Sequence, residues 1–133
     1  MGKVRSRLVI GGLCGAMVVA AAAFAATWVV LGERVVNDRT DHDTIVVTGA
    51  QGRFSALKVK VMKRPVHFID MTVVFGDDST QDVELRTVIP ADGETRVIDL
   101  EGRRRIVKRV EFTYEAESIG RGKKATVRLL GRR

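Results

Sequence analysis

Downstream of an N-terminal apolar run, apolar and polar side chains alternate with a period of two, and β-branched residues fill most of the apolar positions. Leu57, Val59 and Val61, for example, alternate with Lys58 and Lys60. A period of two is typical of strands that have one buried and one solvated face, and β-branched side chains favour the pleated conformation. The sequence therefore predicts an all-β domain.

The apolar segments are separated by residues that form turns, at intervals of roughly 8 to 12 residues, as in antiparallel sandwiches. Residues 26–133 number 108, which is enough for one small domain with its own core. We therefore predict a two-sheet antiparallel β-sandwich of about eight strands, with a small barrel as the alternative. The predicted strands are Val29 to Val36, Thr44 to Thr48, Phe54 to Met62, Val66 to Phe75, Gln81 to Val88, Arg96 to Leu100, Ile106 to Tyr114 and Lys124 to Leu130.

Two details of the strands are also predicted. The apolar phase slips within the fourth segment, which indicates a bulge near Phe68 or Ile69, and the adjacent Ile106 and Val107 mark a second irregularity. The aromatic side chains expected in the core are Phe54, Phe68, Phe75, Phe112 and Tyr114.

The N-terminal run from Leu8 to Leu31 contains no Asp, Glu, Lys or Arg, and basic residues precede it. Its length suffices for a membrane-spanning helix of about 20 residues, and the basic flank places the rest of the chain outside the cytoplasm. Ala23-Phe24-Ala25 matches the small-x-small pattern of a signal-peptide cleavage site. We predict a signal peptide or membrane anchor over residues 1–25 and an exported domain, periplasmic or extracellular, over residues 26–133. The uncleaved anchor is the alternative, favoured by the apolar segment Trp28 to Leu31.

The net charge of the whole chain is +7, and part of it belongs to the N-terminal flank. Without Lys3, Arg5 and Arg7, 20 basic residues face 16 acidic ones, so the exported part carries +4. This value is ordinary for a soluble surface and does not indicate a nucleic-acid partner. The only cysteine, Cys14, lies in the apolar run, so the exported domain has no disulfide.

An acidic segment between the first two predicted strands is a candidate calcium loop. Asp38, Asp41 and Asp43 lie within six residues, beside Asn37 and His42. Ca²⁺ takes six to eight oxygen ligands, of which closely spaced carboxylates supply part. The spacing does not match an EF-hand, and Asp and Asn also cap turns by bonding their own backbone. We favour turn capping and predict no bound metal or other cofactor.

Two basic clusters are candidate binding surfaces. Arg103, Arg104 and Arg105 follow Glu101-Gly102, where a turn would project them together. The second cluster gathers near the C-terminus and consists of Arg121, Lys123, Lys124, Arg128, Arg132 and Arg133. Such surfaces bind anionic lipid head groups, an anionic polysaccharide or an acidic protein. The alternative is a solvated edge, because exposed Lys and Arg also prevent strands from aggregating.

No catalytic constellation is recognisable in the sequence. His67 lies in a predicted strand on the face opposite its apolar neighbours, and no partner for it is evident. None of Ser55, Ser79 and Ser118 lies in a Gly-x-Ser-x-Gly motif, and no Cys or His residues have zinc-binding spacing. We therefore expect that the protein is not an enzyme.

The order of the segments resembles a known family. Four segments carry this resemblance, and they are Leu31-Gly32-Glu33-Arg34, Thr95 to Leu100, Arg105 to Phe112, and the closing segment Ala125 to Gly131. The chain resembles the small exported bacterial proteins of domain-of-unknown-function family 2541, the YaaI-like group. The resemblance implies a secreted or periplasmic β domain and brings no established activity or catalytic residues.

Two hypotheses of function follow from the sequence. The first is a non-enzymatic exported β-sandwich that binds an anionic partner through Arg103, Arg104 and Arg105. The second is a single-span structural or accessory subunit of a membrane complex, in which Gly11, Gly12, Gly15 and Ala16 allow close helix packing.

Overall fold

The computed structural model describes residues 28–47 and 51–133, and these residues form nine strands and a short 3-10 helix. The 3-10 helix, Ala116–Ile119, lies between the last two strands. The strands are β1 (Trp28–Asn37), β2 (His42–Val46), β3 (Arg53–Phe54), β4 (Ala56–Met62), β5 (Val66–Phe75), β6 (Thr80–Ile89), β7 (Ile98–Asp99), β8 (Arg105–Glu115) and β9 (Lys124–Arg132).

The strands form two antiparallel sheets, which confirms the predicted all-β architecture. One sheet has the order β1-β9-β4-β7, and the other has the order β2-β8-β5-β6, with β3 also pairing with β8. One face of each strand is buried between the sheets, as in β9, where Ala125, Val127 and Leu129 are fully buried. The alternation seen in the sequence is thus the alternation between core and solvent.

The segment predicted as one strand from Phe54 to Met62 is divided, which raises the strand number from eight to nine. Phe54 pairs with Arg105 in one sheet, whereas Ala56 pairs with Arg132 in the other. The chain changes sheets at Ser55, whose N–H donates to the carbonyl of Arg132 at 2.7 Å. A corner of this kind has no signature in the period-two pattern, because both halves keep an inward face.

Other boundaries differ by a few residues. The second strand begins at His42 rather than Thr44, and Thr48 lies outside the described residues. The segment predicted from Arg96 to Leu100 pairs only at Ile98–Asp99. The predicted bulge is confirmed, because the register of β5 shifts between Phe68 and Asp70 against both neighbouring strands.

The predicted aromatic core and the second irregularity are also confirmed. All five predicted aromatic side chains are at most 2% exposed. Phe112 contacts Phe68 edge-on and Tyr114 at a tilt, each with ring centroids 5.9 Å apart. The register of β5 against β8 shifts a second time where Phe75 pairs with Val107.

The structure changes the interpretation of the apolar run at its C-terminal end. Trp28, Val29, Val30 and Leu31 belong to β1 and pair with β9, with Leu31 in the core, so they are not part of a membrane-spanning helix. The predicted N-terminal helix and the cleavage site after Ala25 lie outside the described residues. Within the described part of the chain, no helix is long and apolar enough to cross a membrane.

Candidate functional site

The sandwich has two ends, which differ in the loops they carry. The end at which β1 begins, β8 begins and β9 finishes is called here the Trp28 end, and it carries the 101–105 loop. The opposite end is called the Gly122 end, because the loop from Gly120 to Lys123 lies there, beside the turn between β1 and β2.

The basic residues near the C-terminus do not form one cluster. Arg121 and Lys123 lie at the Gly122 end, whereas Arg132 and Arg133 lie at the Trp28 end, because β9 crosses the whole sheet between them. Arg132 and Arg133 therefore join the arginines of the 101–105 loop at one end of the molecule.

Arg103 occupies a strained turn at the Trp28 end. Its φ is +75°, next to Gly102 at +84°, and the N–H of Arg104 donates to the carbonyl of Gly102 at 3.0 Å. This is a three-residue γ-turn with a left-handed central residue, a conformation that costs a residue with a Cβ roughly 1–2 kcal/mol. Glycine would fit the backbone better, so the turn gives no local reason for an arginine here. The side chains of Arg103 and Arg104 are exposed.

Arg105 differs from its two neighbours because its side chain is bound by the protein itself. The guanidinium lies 3.8 Å from the centroid of the buried Phe75 ring. It donates to the carbonyl of Glu101 at 3.0 Å and to Ser79 Oγ at 2.8 Å, and it lies 3.3 Å from the Asp77 carboxylate. Arg105 thus joins the 101–105 loop to the β5–β6 turn, and the three arginines do not project together as the sequence suggested.

The acidic partner of Arg105 is itself held in place. Hydrogen bonds from the Ser79 hydroxyl and backbone lower the pKa of Asp77 below its usual value, and the nearby Arg105 lowers it further. The carboxylate is therefore negatively charged at neutral pH and keeps the arginine in position.

A groove of about 460 Å³ opens beside Arg105, where β2 has ended and β3 has taken over its place along β8. Its apolar lining consists of Val47, Ile106 and Val107, and its charged lining consists of three cations, Arg53, Arg105 and Lys108, and one carboxylate, Asp77, which is paired with Arg105. An apolar floor with a cationic rim suits a ligand that combines an apolar part with a negative charge.

Acidic residues neutralise only part of the basic charge at the Trp28 end. Three ion pairs are present, Arg105–Asp77, Lys108–Asp78 and Arg132–Asp99. Four further arginines make no ion pair within residues 28–47 and 51–133. They are Arg53, Arg103, Arg104 and Arg133. These four guanidinium groups have no carboxylate partner in that part of the chain, although Arg133 also donates to the carbonyl of Gln51 at 2.9 Å.

The three aspartates of the candidate calcium loop are used separately. Asp38 Oδ2 accepts the N–H of Gly122 at 2.7 Å, which is the main cause of its lowered pKa, and Asp41 Oδ1 accepts the N–H of Ala116 at 3.0 Å. Asn37 Oδ1 accepts the N–H groups of Arg39 and Thr40, as turn capping predicts. In the described residues, no three His, Cys, Asp or Glu side chains are grouped to hold a metal ion.

Asp43 belongs to a polar network that ties three strands together. Its Oδ2 accepts the hydroxyl proton of the buried Tyr114 at 2.8 Å, and its Oδ1 accepts Arg34 Nε at the same distance. Burial and the neighbouring carboxylate raise the pKa of Tyr114 to about 12. The network links β1, β2 and β8 and has a structural role.

His67 has a partner that the sequence did not reveal. Its Nδ1 lies 2.8 Å from Glu115 Oε2, and Ser118 is next to both residues. The Ser118 hydroxyl, however, donates to the carbonyl of Glu115 at 2.6 Å and accepts the backbone N–H of His67 at 3.1 Å. No hydrogen bond joins this hydroxyl to the imidazole, so the three residues do not form a nucleophile and its base.

The sequence analysis missed three residues of the Trp28 end. Arg53 and Lys108 belong to separate strand segments, and only pairing with β8 brings them to the groove. Trp28 was assigned to the membrane segment. The structure places its ring beneath Lys58 Nζ, 4.4 Å from the ring centroid. No local pattern identifies these residues, since each has an ordinary position in its own strand.

Comparison with known proteins gives a family and a fold. The profile of a family described as Domain of unknown function (DUF2541) matches residues 8–131. No curated protein matches the chain. Among solved structures, AlgX of Pseudomonas aeruginosa matches with a TM-score of 0.52 and 14% identity, over 79% of this chain and 26% of the AlgX chain. A mutant of the family 29 carbohydrate binding module CBM29-2 matches with a TM-score of 0.42 and 14% identity, over 79% of this chain and 84% of that one. These similarities concern the fold alone, and this chain spans only about a quarter of AlgX.

Proposed function

The chain belongs to the DUF2541 family, and for this member we propose a non-enzymatic, exported β-sandwich module that binds an anionic partner through its Trp28 end. Export is expected from the charge-free segment from Leu8 onwards and the basic flank before it. Because the last four residues of that run belong to β1, the segment left for targeting comprises residues 8–27. The sandwich then begins directly after that segment, at Trp28.

Four arginines that make no ion pair among the described residues lie at one end of the molecule beside a groove with an apolar floor, and this combination supports the proposal. Arg121, Lys123 and Lys124 at the Gly122 end also make no ion pair within those residues, but no apolar side chain lines the pocket beside them. Arg53 comes from β3, Arg103 and Arg104 from the 101–105 loop, and Arg133 from the residue after β9. Three separate parts of the chain thus contribute to a single cationic surface beside the groove. The guanidinium group suits such a surface, because its planar set of donors binds carboxylate, phosphate or sulfate oxygens in pairs.

The strained turn at Arg103 supports the same proposal. A left-handed residue with a Cβ is destabilising, and glycine is the residue that this backbone favours. Strained backbone positions cluster at active sites and ligand clamps. Lys63, Asp78, Arg86 and Asp92 also have positive φ, and among these five residues Arg103 is the one in the 101–105 loop. We infer that Arg103 serves the partner rather than the fold.

The proposal is tested with two variants that remove the same charge from opposite ends. Arg103→Ser with Arg104→Ser alters the Trp28 end, and Arg121→Ser with Lys123→Ser is the matched control at the Gly122 end. The full chain, held in a mild detergent, is applied to heparin–agarose, a sulfated polyanion, and eluted with a salt gradient. We expect the first variant to elute at clearly lower salt than the control. It lacks two of the proposed arginine contacts with the polyanion, so less salt is needed to screen the contacts that remain.

Circular dichroism spectra and melting midpoints of both variants show whether the fold is intact. Equal elution of the two variants would mean that the column detects net charge only, and the proposed site at the Trp28 end would then be wrong. Elution of the first variant at the wild-type position would have the same meaning.

A further inference from the structure

The position of Trp28 relates the cationic end to the apolar N-terminal segment. Trp28 is the first residue of β1, and the charge-free sequence that begins at Leu8 continues directly into it. No hydrophilic linker separates that sequence from the sandwich. If the segment enters a bilayer, the Trp28 end is the part of the domain nearest to the lipid, and the Gly122 end is the farthest, since β1 runs from one to the other.

The surroundings of Trp28 combine an aromatic ring with cations. Lys58 Nζ lies 4.4 Å and Arg132 Cζ lies 5.6 Å from the ring centroid, and the ring is only partly buried. Each cation also has an acidic neighbour, Glu94 at 3.1 Å from Lys58 and Asp99 at 3.6 Å from Arg132, so a phosphate would have to share them. Tryptophan settles at the boundary between hydrocarbon and head groups, and Lys and Arg beside it extend to the phosphates. This combination is typical of a protein surface at a membrane interface.

The rest of the Trp28 end fits the same environment. Arg103, Arg104 and Arg133 are exposed cations without ion pairs in the described residues, and the nearby groove has an apolar floor formed by Ile106 and Val107. A soluble polysaccharide would use the cations, and a sugar ring would also stack on an indole, but a polyanionic chain would leave the apolar floor of the groove without a partner. Head groups of anionic phospholipids offer phosphate next to an apolar phase.

We propose that the Trp28 end rests on the bilayer surface and binds the head groups of anionic phospholipids. This inference rests on the proposed function and names its partner. It makes the sandwich a module with a fixed orientation, in which the Gly122 end points away from the membrane.

The test compares the distance of the two ends from the lipid. Cys14→Ser removes the only thiol of the full chain, and a fluorescent label is then attached at Glu101→Cys or at Glu117→Cys. The two glutamates are a matched pair: both are exposed, and both contribute only backbone atoms to the hydrogen bonds of the described residues. The labelled chains are reconstituted into vesicles of phosphatidylcholine, with or without phosphatidylglycerol. Both kinds of vesicle contain a phosphatidylcholine whose head group carries a spin-label quencher.

We expect the label at position 101 to be quenched several-fold more than the label at position 117 in vesicles that contain phosphatidylglycerol. The difference should decrease in high salt, in pure phosphatidylcholine, and when Arg103→Ser and Arg104→Ser are added. The control pair Arg121→Ser and Lys123→Ser should leave it unchanged.

Equal quenching at both positions would overturn the orientation. If quenching at position 101 does not depend on phosphatidylglycerol or on the salt concentration, the proposed binding of anionic head groups is wrong. If either result is obtained while heparin–agarose still distinguishes the two charge variants, the proposed function stands and the partner is a soluble polyanion such as a polysaccharide. If heparin–agarose does not distinguish them either, both proposals fail.

Discussion

The three consecutive arginines of the 101–105 loop should behave differently when each is replaced. Arg105→Ala removes the stacking on Phe75, two hydrogen bonds and one exposed ion pair. Partly exposed stacking contributes about 0.5–1 kcal/mol and a hydrogen bond about 0.5–1.5 kcal/mol, whereas the ion pair with the exposed Asp77 contributes little. We therefore expect Arg105→Ala to lower the free energy of unfolding by about 2 kcal/mol.

Arg103→Gly should leave stability nearly unchanged. The substitution relieves a left-handed backbone strain of roughly 1 kcal/mol, and the greater freedom of glycine in the unfolded chain offsets about the same amount. Arg104→Ala is the exposed control and should change the unfolding free energy by less than about 0.5 kcal/mol.

Urea unfolding of the full chain in a mild detergent measures all three variants. Circular dichroism follows the loss of strand structure, and the fluorescence of Trp28, the only tryptophan, follows the Trp28 end. The reasoning is refuted if Arg105→Ala stays within about 0.5 kcal/mol of the wild type, or if Arg103→Gly destabilises the protein as much as Arg105→Ala. A difference between the two supports the separation of one structural arginine from two that are available for binding.

Three further predictions concern the core and the acidic loop. Tyr114→Phe should lower the free energy of unfolding by about 1.5 kcal/mol in urea titrations, because a hydrogen bond to a charged group is lost. Since the folded pKa of Tyr114 is about 12, above its ordinary value of 10.0, its contribution is complete below pH 10 and disappears between about pH 10 and 12. Wild-type stability should fall over that interval more steeply than that of the Phe variant. Gly131→Ala should destabilise the fold by about 1–3 kcal/mol in the same titration, since a Cβ there would lie 2.7 Å from Phe54 Cδ1 and 2.9 Å from Leu31 Cδ1. Wild-type stability in this variant would show that the core adjusts without strain. Calcium should not change the melting midpoint relative to a chelator, because Asp38, Asp41 and Asp43 already have separate partners, and a rise of several degrees would contradict this.

The candidate site was only partly predictable from the sequence. Arg103 and Arg104 were identified because consecutive charges in a turn are a local feature of the chain. The roles of Arg105 and His67 were not predictable, since Phe75 and Glu115 approach them through strand pairing between distant segments. The same reason explains why Arg53 and Arg133 were not grouped with the loop.

Local patterns of side chains were sufficient to predict the all-β class, the aromatic core and the bulge near Phe68 or Ile69. They were sufficient because the period of two, the phase slip and the spacing of turns are properties of neighbouring residues. Only the tertiary structure decided that the chain changes sheets at Ser55 and that Trp28 begins a strand. It also decided that Arg121 and Arg133, which flank β9, lie at opposite ends of the sandwich. These features depend on which strands pair and in which register, and pairing is selected by the packing of the whole core rather than by any one segment.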